Sequence, residues 1–316
     1  MPETRVFAPA KINLALHVTG QRADGYHLLD TLVAFAPVGD WLELATDTQP
    51  SLTVDGPEAA GVPTDATNLV ARAVAHHAEK CGLDGRVAML LTKNLPPASG
   101  IGGGSSDAAA ALRGVMALYQ TPEIWCRGGR LALKARPDTV APLALLDLVA
   151  LGADVPMCYA PRTARIGGIG ETSTPVRLPR LPAVLINPRV EVPTPSVFRM
   201  LTYKDNPPMP TKVPAFAQTH DCILWLAGQR NDLQAPAIAA APVIGAVLAA
   251  LIAQPGMGVA RMSGSGATCF ALFETEAQAR TACAAIARAY PGWWVTEGLL
   301  GDQTAASAPQ VIRATT

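Results

Sequence analysis

A glycine-rich stretch is the part of this sequence best suited to bind phosphate. It runs from Leu95 to Leu112 and reads LPPASGIGGGSSDAAAAL, so a bare backbone leads directly into strong helix formers. The first amides of a helix have no partner within it, and the positive end of the helix dipole lies at the same point. The stretch therefore predicts an anion site at a helix start. Its glycines are Gly100, Gly102, Gly103 and Gly104.

Three polar residues follow these glycines, and each is of a type that caps helices: Ser105, Ser106 and Asp107. The stretch is not a Walker A loop, because no Gly-Lys-Ser/Thr follows the glycines. It is not a dinucleotide-binding fingerprint either, because the third glycine of G-x-G-x-x-G would fall on Ser105. A flexible glycine turn with an ordinary cap is the plain alternative. A phosphate cradle of another type fits the residues best.

Two charged residues lie in apolar parts of the sequence. Lys11 belongs to the alternating segment KINLALHV, and Asp154 follows Gly152 in the segment GADVP. A carboxylate is costly to bury unpaired, and a lysine partner offsets that cost. Phosphoryl transfer needs an anion cradle, a nearby cation and a group that accepts the hydroxyl proton. Each residue alone has a plainer interpretation, Lys11 as a solvated strand lysine and Asp154 as a turn residue.

Hydrophobic periodicity predicts the elements that must position these residues. Residues 11–18 alternate, which predicts a half-buried strand with Lys11 and Asn13 side by side on its polar face. The turn 20–25 follows this strand. The other predicted elements are a strand at 28–35, a hairpin at 40–56, a helix at 68–80 capped by Thr67, a strand at 87–93, helices at 140–151, 237–253 and 276–290, and extended segments at 183–187, 267–273 and 293–297.

Length and composition limit the class of protein. A chain of 316 residues favours two domains, and 49% hydrophobic against 16% charged residues indicates a globular chain. Basic and acidic residues both number 25, so no basic field for nucleic acid is expected. The sequence has no apolar run of about 18 residues and no apolar signal core at its start, so we expect no membrane span and no secretion.

The six cysteines form no C-x-x-C pair and no zinc-type cluster with histidine. Most lie among apolar residues, so we expect six free thiols in a reducing cytoplasm. No obligate protein partner is evident from the sequence. The cysteines are Cys81, Cys126, Cys158, Cys222, Cys269 and Cys283.

Four separated stretches resemble, in the same order, the motifs of the GHMP kinases, a family named for galactokinase, homoserine kinase, mevalonate kinase and phosphomevalonate kinase. They are PAKINLALHVTGQRADGYHLL at 9–29, the glycine-rich stretch, LGADVP at 151–156 and RMSGSGATCFALF at 261–273. The GYH turn and the triple glycine are most similar to the branch that phosphorylates the 2-hydroxyl of 4-diphosphocytidyl-2-C-methyl-D-erythritol, in the non-mevalonate route to isoprenoid precursors.

The resemblance implies an α+β, two-domain GHMP kinase fold that uses ATP and Mg²⁺ on a small-molecule acceptor linked to cytidine diphosphate. It implies a domain like domain 2 of ribosomal protein S5 over residues 1–165 and a ferredoxin-like domain over 166–300. Residues 301–316 are interpreted as a frayed tail. Within the site, Asp154 is implied as the catalytic base and Lys11 as the cation that keeps it ionised and polarises the acceptor hydroxyl.

The resemblance also implies the residues that bind each substrate. Phe198 is implied to stack on cytosine, Asn68 to lie near adenine, and the Ser106 hydroxyl to reach Mg²⁺. The acceptor residues are Asn13, Tyr26, His27, Asp154 and Phe198. The ATP residues are Asn68, Lys93, Pro96, Gly100, Gly102, Gly103, Gly104, Ser105, Ser106, Gly264 and Ser265.

Plainer interpretations remain open at several of these positions. Tyr26 and His27 could be a hairpin pair that caps the core, Phe198 could be core, and residues 264–268 could be a simple hairpin turn. At the level of the whole chain, the alternatives are another GHMP kinase of homoserine or mevalonate type, or a catalytically inactive binding protein. The loop also departs from the family pattern at Ala98-Ser99, where a glycine-richer loop is often seen, and residues 121–139 look longer than that pattern.

Overall fold

The computed structural model describes residues 3–119 and 148–312, which form two α+β domains. The boundary between the domains lies between Pro175, where a strand of the first sheet ends, and Leu181, where the first strand of the second sheet begins. The strands are β1 (Glu3–Gln21), β2 (His27–Thr46), β3 (Ser51–Asp55), β4 (Val87–Thr92), β5 (Ala164–Gly168), β6 (Thr172–Pro175), β7 (Leu181–Asn187), β8 (Met257–Met262), β9 (Cys269–Phe273), β10 (Trp294–Leu300) and β11 (Gln310–Ile312). The helices are α1 (Leu69–Cys81), α2 (Gly103–Leu118), α3 (Val155–Tyr159), α4 (Thr194–Arg199), α5 (Thr219–Ala227), α6 (Gln234–Ala240), α7 (Val243–Ile252) and α8 (Glu276–Ala289).

The first sheet is built around the two long antiparallel strands β1 and β2. Its order is β11-β1-β2-β4-β3, and β5 and β6 extend it beside the first half of β2. Strands β3 and β4 run parallel, so the chain between them must cross over, and α1 makes that crossover. The hairpin predicted at 40–56 is therefore wrong, because β4 lies between its two halves.

Helices α1 and α2 cover one face of this sheet and form a core with it. The four alanines Ala108–Ala111 are completely buried, and their small side chains let α2 lie close to the strands. The side chains on the predicted apolar face of α1 are also buried or half-buried. The N-cap of this helix is Asn68 rather than the predicted Thr67. The Asn68 side chain accepts from the amide of Val70 at 2.9 Å, which is the bond expected of an N-cap.

The second sheet has the order β10-β7-β9-β8 and is antiparallel. Counted within the domain this is the order 4-1-3-2, with helices after its first and third strands, which is the ferredoxin-like arrangement and confirms that expectation. The helix predicted at 237–253 is divided into α6 and α7, because Pro242 cannot donate the bond that would continue α6. One face of the sheet packs on β1 and β2 and forms an interface core.

Strand β1 is buried on both faces, so the prediction of a half-buried strand is wrong. The second domain covers the face that would otherwise be exposed, and Lys11, Asn13 and His17 are all at most 4% exposed. The pairing of β1 with β2 shifts register between Asn13 and Ala15. This bulge interrupts the alternation, so Leu16 lines the same cleft as Lys11 and Asn13.

The C-terminal segment is anchored rather than frayed. Gly301 and Phe35 exchange two backbone hydrogen bonds of 2.9 Å, and β11 pairs with the start of β1. The division predicted at 165/166 falls inside β5, whose pairing with β2 keeps residues up to Pro175 in the first domain. Most of the helix predicted at 140–151 lies outside the described residues, and residues 148–151 are helical.

The close approach of β1 and β2 at a second bulge makes Gly39 a test of this fold. A Cβ atom on the buried Gly39 would lie 2.8 Å from the Cα of Pro9 and closer still to the carbonyl oxygen of Ala8. We expect Gly39→Ala to lower the free energy of unfolding by about 1–3 kcal/mol, measured by urea unfolding. Gly292→Ala is the control, because no atom lies within 4 Å of its added Cβ. Equal stability of the two variants would contradict the packing described here.

Candidate active site

A cleft of about 400 Å³ lies between the two domains. The first domain contributes β1, the glycine-rich loop and the segment before α3. The second domain contributes the start of α4 and the loop between β8 and β9. The polar side chains that line it are Lys11, Asn13, Thr31, Ser99, Ser105, Asp154, Thr194 and Ser265.

Lys11 and Asp154 meet in this cleft although 143 residues separate them in the sequence. The Lys11 Nζ donates to the Asp154 Oδ2 at 2.9 Å. The lysine side chain is 5% exposed and the carboxylate 39% exposed, so the pair has one buried partner and one that solvent or a ligand can reach. The two groups therefore form a salt bridge. The pair is therefore arranged as a charged acid–base couple at the floor of the cleft.

The sequence positions each member of this pair by a local feature. Asp154 is the residue before α3, and its carboxylate reaches Lys11 instead of capping the helix. The amide of Lys11 donates to the carbonyl of Ile101 at 2.8 Å, which ties β1 to the glycine-rich loop. A Cβ atom on Gly102, whose φ is +67°, would lie 3.2 Å from the Cε of Lys11. Glycine is needed there for both the backbone conformation and the space.

The glycine-rich loop ends in a helix with free amides. Helix α2 begins at Gly103, and its N-cap is Gly102 with no side-chain cap, so the predicted caps at Ser105, Ser106 or Asp107 are wrong. The first intrahelical bond runs from the amide of Ser106 to the carbonyl of Gly102 at 2.8 Å. The three preceding amides have no acceptor within the helix and lie at the cleft. This geometry is an anion cradle.

The two serines of the loop have different environments. The Ser106 hydroxyl is completely buried and donates to the carbonyl of Pro9 at 2.7 Å, so its predicted contact with Mg²⁺ is not supported. Ser105 is the loop serine whose side chain lines the cleft. Earlier in the loop, Ala98 has a φ of 48°, a left-handed conformation that favours glycine, and it too lines the cleft.

Lys93 lies beneath the loop and not in the cleft, which corrects its prediction as an ATP contact. Its Nζ donates to Asp107 at 2.8 Å and to Asp40 at a shorter distance, and all three side chains are buried. Asp40 also accepts from the amides of Asn94 and Leu95 at 2.6 and 2.9 Å. This cluster joins the strand before the loop to the helix after it, so it supports the cradle from below.

Burial and charge oppose each other in this cluster. Burial raises the pKa of Asp107 well above its usual value, and the Asp40 charge adds to that rise while Lys93 opposes it. Burial acts to lower the pKa of Lys93, but the two carboxylates outweigh it and leave that pKa raised. Lys93 is therefore held protonated, and the buried carboxyl group of Asp107 is costly to ionise.

The glycine loops of the two domains touch directly. A Cβ atom on Gly100 would lie 2.5 Å from the carbonyl oxygen of Gly266. The Ser263 hydroxyl donates to the carbonyl of Gly100 at 3.1 Å, and the amide of Thr268 donates to the carbonyl of Ser99 at 3.1 Å. Gly264 and Ser265, both predicted ATP residues, line the cleft from this side. The second domain therefore closes the cradle.

Asn13 presents an unpaired acceptor to the cleft. Its Nδ2 donates to the Thr31 hydroxyl at 2.8 Å, and that hydroxyl donates to the carbonyl of Ala15 at 2.6 Å. These bonds fix the amide so that Oδ1 is buried and has no partner within the described residues. Buried polar atoms are rarely left unpaired in folded proteins. The Asn13 Oδ1 is thus suited to accept a hydrogen bond from a bound ligand.

The structure brings two of the predicted acceptor residues, His27 and Phe198, into contact. The rings of His27 and Phe198 stack with centroids 4.7 Å apart, and Phe198 lines the cleft. The Nε2 atom of His27 is buried without a partner among the described residues. Burial, and then the charge of Lys204, lower the pKa of His27, so its imidazole is neutral. Tyr26 is 62% exposed beside this stack.

Two other predicted ATP residues do not line the cleft. The Asn68 side chain caps α1 and donates to the carbonyl of Pro63 at 2.7 Å, while its neighbour Leu69 lines the cleft. Pro96 is buried in the turn before the loop. Their placement at the nucleotide is therefore not supported by side-chain position.

Sequence reasoning missed several residues that shape the site. Asn231 donates to the carbonyls of Met262 and Gly264 at 2.8 Å and so holds the second glycine loop. The Arg165 guanidinium donates two hydrogen bonds to the Asp30 carboxylate. It also donates to the carbonyl of Met209 at 3.0 Å, which holds the loop between α4 and α5. The dipeptides Asn231-Asp232 and Gly39-Asp40 are turn-type signals, but the sequence does not say what their side chains contact.

Within residues 3–119 and 148–312, no group of three or more histidine, cysteine, aspartate or glutamate residues is placed to hold a metal ion. Over the same ranges, no helix is both long enough and apolar enough to cross a bilayer. Five cysteines are free thiols, and Cys126 lies outside the described residues. Burial raises the pKa of Cys158 and of Cys222 to about 12, so neither is a thiolate at neutral pH.

The buried cluster predicts unequal effects of two similar substitutions. Asp107→Asn leaves a one-to-one pair of Lys93 with Asp40 and removes the carboxylate that is costly to ionise. Asp40→Asn places an amide donor against Lys93 or the loop amides, so we expect it to lower the free energy of unfolding by about 1–3 kcal/mol more than Asp107→Asn. Urea unfolding at pH 7 measures both.

The pH dependence of this difference has a definite sign. Because the pKa of Asp107 is raised in the folded state, the native protein keeps a proton that the unfolded chain releases above about pH 4. The stability of the unsubstituted protein should therefore rise relative to Asp107→Asn as the pH falls from 7 towards 4. An Asp107→Asn variant that is the less stable of the two, with no such trend, would contradict this account.

Comparison with known proteins supplies family-level matches. The sequence profile of the GHMP kinase N-terminal domain matches residues 68–159, and the profile of the GHMP kinase C-terminal domain matches residues 215–292. A 4-diphosphocytidyl-2-C-methyl-D-erythritol kinase from Dinoroseobacter shibae is 55% identical over 295 residues, which cover 93% of this chain and 94% of that protein. A relative of the same name from Roseobacter denitrificans is 50% identical and covers 97% of this chain and 96% of its own.

Solved structures match over similar lengths. The crystal structure of a 4-(cytidine 5'-diphospho)-2C-methyl-D-erythritol kinase matches with a TM-score of 0.71 at 32% identity, covering 94% of this chain and 99% of that one. A homoserine kinase from Cytophaga hutchinsonii matches with a TM-score of 0.66 at 20% identity, covering 98% and 97%. The second match shows a shared fold and nothing more specific.

Proposed function

The chain belongs to the GHMP kinase family, and we propose that it uses ATP to phosphorylate the 2-hydroxyl of 4-diphosphocytidyl-2-C-methyl-D-erythritol. The observation that carries the proposal is the 2.9 Å contact of Lys11 with Asp154 beside a cradle of free amides. Relatives named for this substrate match more than nine-tenths of the chain at 50–55% identity. This favours the cytidyl substrate over the homoserine and mevalonate alternatives.

The chemical step follows from the acid–base pair. The acceptor hydroxyl lies against the Asp154 carboxylate, which takes its proton as the hydroxyl oxygen forms a bond to the γ-phosphorus. The bond from that phosphorus to the β-γ bridging oxygen breaks, and its electron pair leaves with ADP. Lys11 keeps Asp154 ionised before the step and polarises the hydroxyl, which lowers the cost of removing the proton. The retained pair also argues against an inactive binding protein.

The glycine-rich loop holds the donor phosphates. The amides that precede Ser106 and the positive end of α2 stabilise negative charge where it develops. Gly264 and Ser265 close the cradle from the second domain and exclude water. Mg²⁺ would be held mainly by the phosphates of ATP, with the Ser105 hydroxyl in the cleft as an available protein oxygen. When bound, it supplies charge neutralisation for the phosphates.

Two parts of the site are suited to bind the acceptor substrate. The Asn13 Oδ1 has no partner among the described residues, and Asn13 lines the same cleft as Lys11 and Asp154, so we propose that this atom binds a hydroxyl of the acceptor. Neutral His27 offers Nε2 to a cytosine edge, and Phe198 or Tyr26 offers a ring face for stacking. Because His27 and Phe198 are stacked on each other, cytosine binding requires either an outer face of this stack or a rotation of Phe198.

We also propose a cytoplasmic location. The five described cysteines are free although several are buried in the cores, which is the usual state in a reducing compartment.

Substitution of the acid–base pair tests the proposed chemistry. Asp154→Asn keeps the shape of the residue and removes the proton acceptor, so kcat should fall by about 10²–10⁴-fold. Lys11→Met should also lower kcat, and the double variant should be little worse than the worse single one, since residues that act as a unit are not additive. ATP affinity, measured by calorimetry, should change little because the cradle is untouched. Near-normal turnover of Asp154→Asn would show that the residue is structural.

Substrate comparison tests the proposed specificity. A site built to hydrogen-bond a ring edge leaves buried groups unpaired when the ring is absent, so removal of the cytidyl group should lower kcat/KM at least roughly a hundredfold. The assay is ADP release with the full acceptor, with methylerythritol phosphate and with mevalonate. His27→Ala should reduce the ratio of kcat/KM between the full acceptor and the acceptor without its cytidyl group. Equal use of the acceptor without its cytidyl group would overturn the specificity.

A further inference from the structure

A buried arginine joins three separate segments around the acid–base pair. Arg113 lies on the second half of α2 and is 9% exposed. Its Nη1 donates to the carbonyls of Cys158 and Tyr159 at 2.9 and 3.0 Å, and its Nη2 donates to the carbonyl of Phe7 at 3.0 Å. Its Nε donates to the carbonyl of Ser307 at 3.1 Å. No carboxylate pairs with it among the described residues.

Each of these carbonyls belongs to a segment that matters for the pair. Cys158 and Tyr159 form the end of α3, the short helix that begins directly after Asp154. Phe7 lies on β1, four residues before Lys11. Ser307 lies in the C-terminal segment, which also contacts the chain just after α3, where the amide of Gln303 donates to the carbonyl of Pro161 at 2.8 Å.

The guanidinium is suited to this position in a way that few side chains are. Burial lowers the pKa of Arg113 to about 10, so the group stays protonated at neutral pH. A positive charge at the C-terminal end of α3 complements the helix dipole. The planar fork offers five donors in fixed directions, and four carbonyls accept from them. Lysine could keep the charge but could not span three segments.

We propose that Arg113 is a positioning residue for the transfer step, which fixes α3 against β1 and the C-terminal segment so that Asp154 stays within hydrogen-bond reach of Lys11. The inference rests on the proposed function, because it concerns the same reacting pair. Arg113 does not line the cleft and contacts no reacting atom. Its effect on the reaction passes through the backbone of α3. A misplacement of about 1 Å at a reacting centre can lower a rate about a hundredfold.

Substitution of Arg113 separates positioning from general stability. Arg113→Met should lower kcat roughly 10–100-fold at saturating substrates with little change in ATP affinity, and Arg113→Lys should recover part of the loss. The matched control is Thr4→Val, which removes the 3.2 Å bond from Thr4 to the carbonyl of Gly114 on the same helix.

Two truncations test the link through Ser307. Removal of residues 310–316 takes away the β11 pairing and keeps the Ser307 carbonyl, so kcat and its pH profile should stay close to those of the full chain. Removal of residues 304–316 also takes away that carbonyl and should reproduce the kcat loss of Arg113→Met with little change in ATP affinity. Circular dichroism at the assay temperature establishes that each protein is folded.

The outcomes are decisive in both directions. If the Arg113 variants lose thermal stability as Thr4→Val does, but match the kcat of Thr4→Val at every pH measured, Arg113 is only structural and the inference is wrong. If Arg113→Met does not fold, Arg113→Lys and the truncation pair decide by the same criteria. A large loss in Asp154→Asn with no effect of Arg113 overturns the positioning role alone. Normal turnover of Asp154→Asn overturns the catalytic assignment of the pair, and no ADP release by the unsubstituted protein with the cytidyl acceptor overturns the proposed function itself.

Discussion

The site depends on one constraint, the need to keep a charged pair together where one partner is buried. The Lys11 side chain is 5% exposed, and an unpaired ammonium at such a position would be costly. Lys11 must therefore have Asp154 beside it, and that contact fixes where β1 and α3 lie relative to each other. Gly102 is constrained in turn, because its backbone passes against the lysine stem with no room for a side chain.

The same need for partners ties down the glycine-rich loop. The buried charge of Lys93 is satisfied on both sides of the loop, by Asp40 before it and by Asp107 within α2. From the other domain, the backbone near Gly266 packs so closely on Gly100 that neither loop can shift alone. A preorganised cradle has less reorganisation to undergo when charge develops on the transferring phosphate.

The sequence predicted the residues that carry chemistry better than it predicted their surroundings. Motif order was enough to place Lys11 and Asp154 in one site, because a family's reacting groups keep their places in the chain. It could not show that Lys93 is bound by Asp40, 53 residues earlier, since pairing of distant charges depends on packing. Which of Ser105 and Ser106 faces the cleft depends on where α2 begins. The helix begins at Gly103, and this start buries Ser106, the serine that was expected to reach Mg²⁺. Likewise, the local pattern of 40–56 resembles a hairpin and carries no sign that β4 inserts between its halves.

The pairing of β11 with β1 has a consequence for synthesis of the chain. Strand β1 is made first, but the segment that covers the edge of its first residues, Glu3 to Arg5, follows some 300 residues later. At about 5–20 residues per second, that edge waits about 15–60 s for its partner. An unpaired strand edge is a template for wrong pairing during this interval. Because Arg113 also receives its Ser307 acceptor only then, the nascent chain contains Lys11 and Asp154 long before the tie between α2 and the C-terminal segment can form.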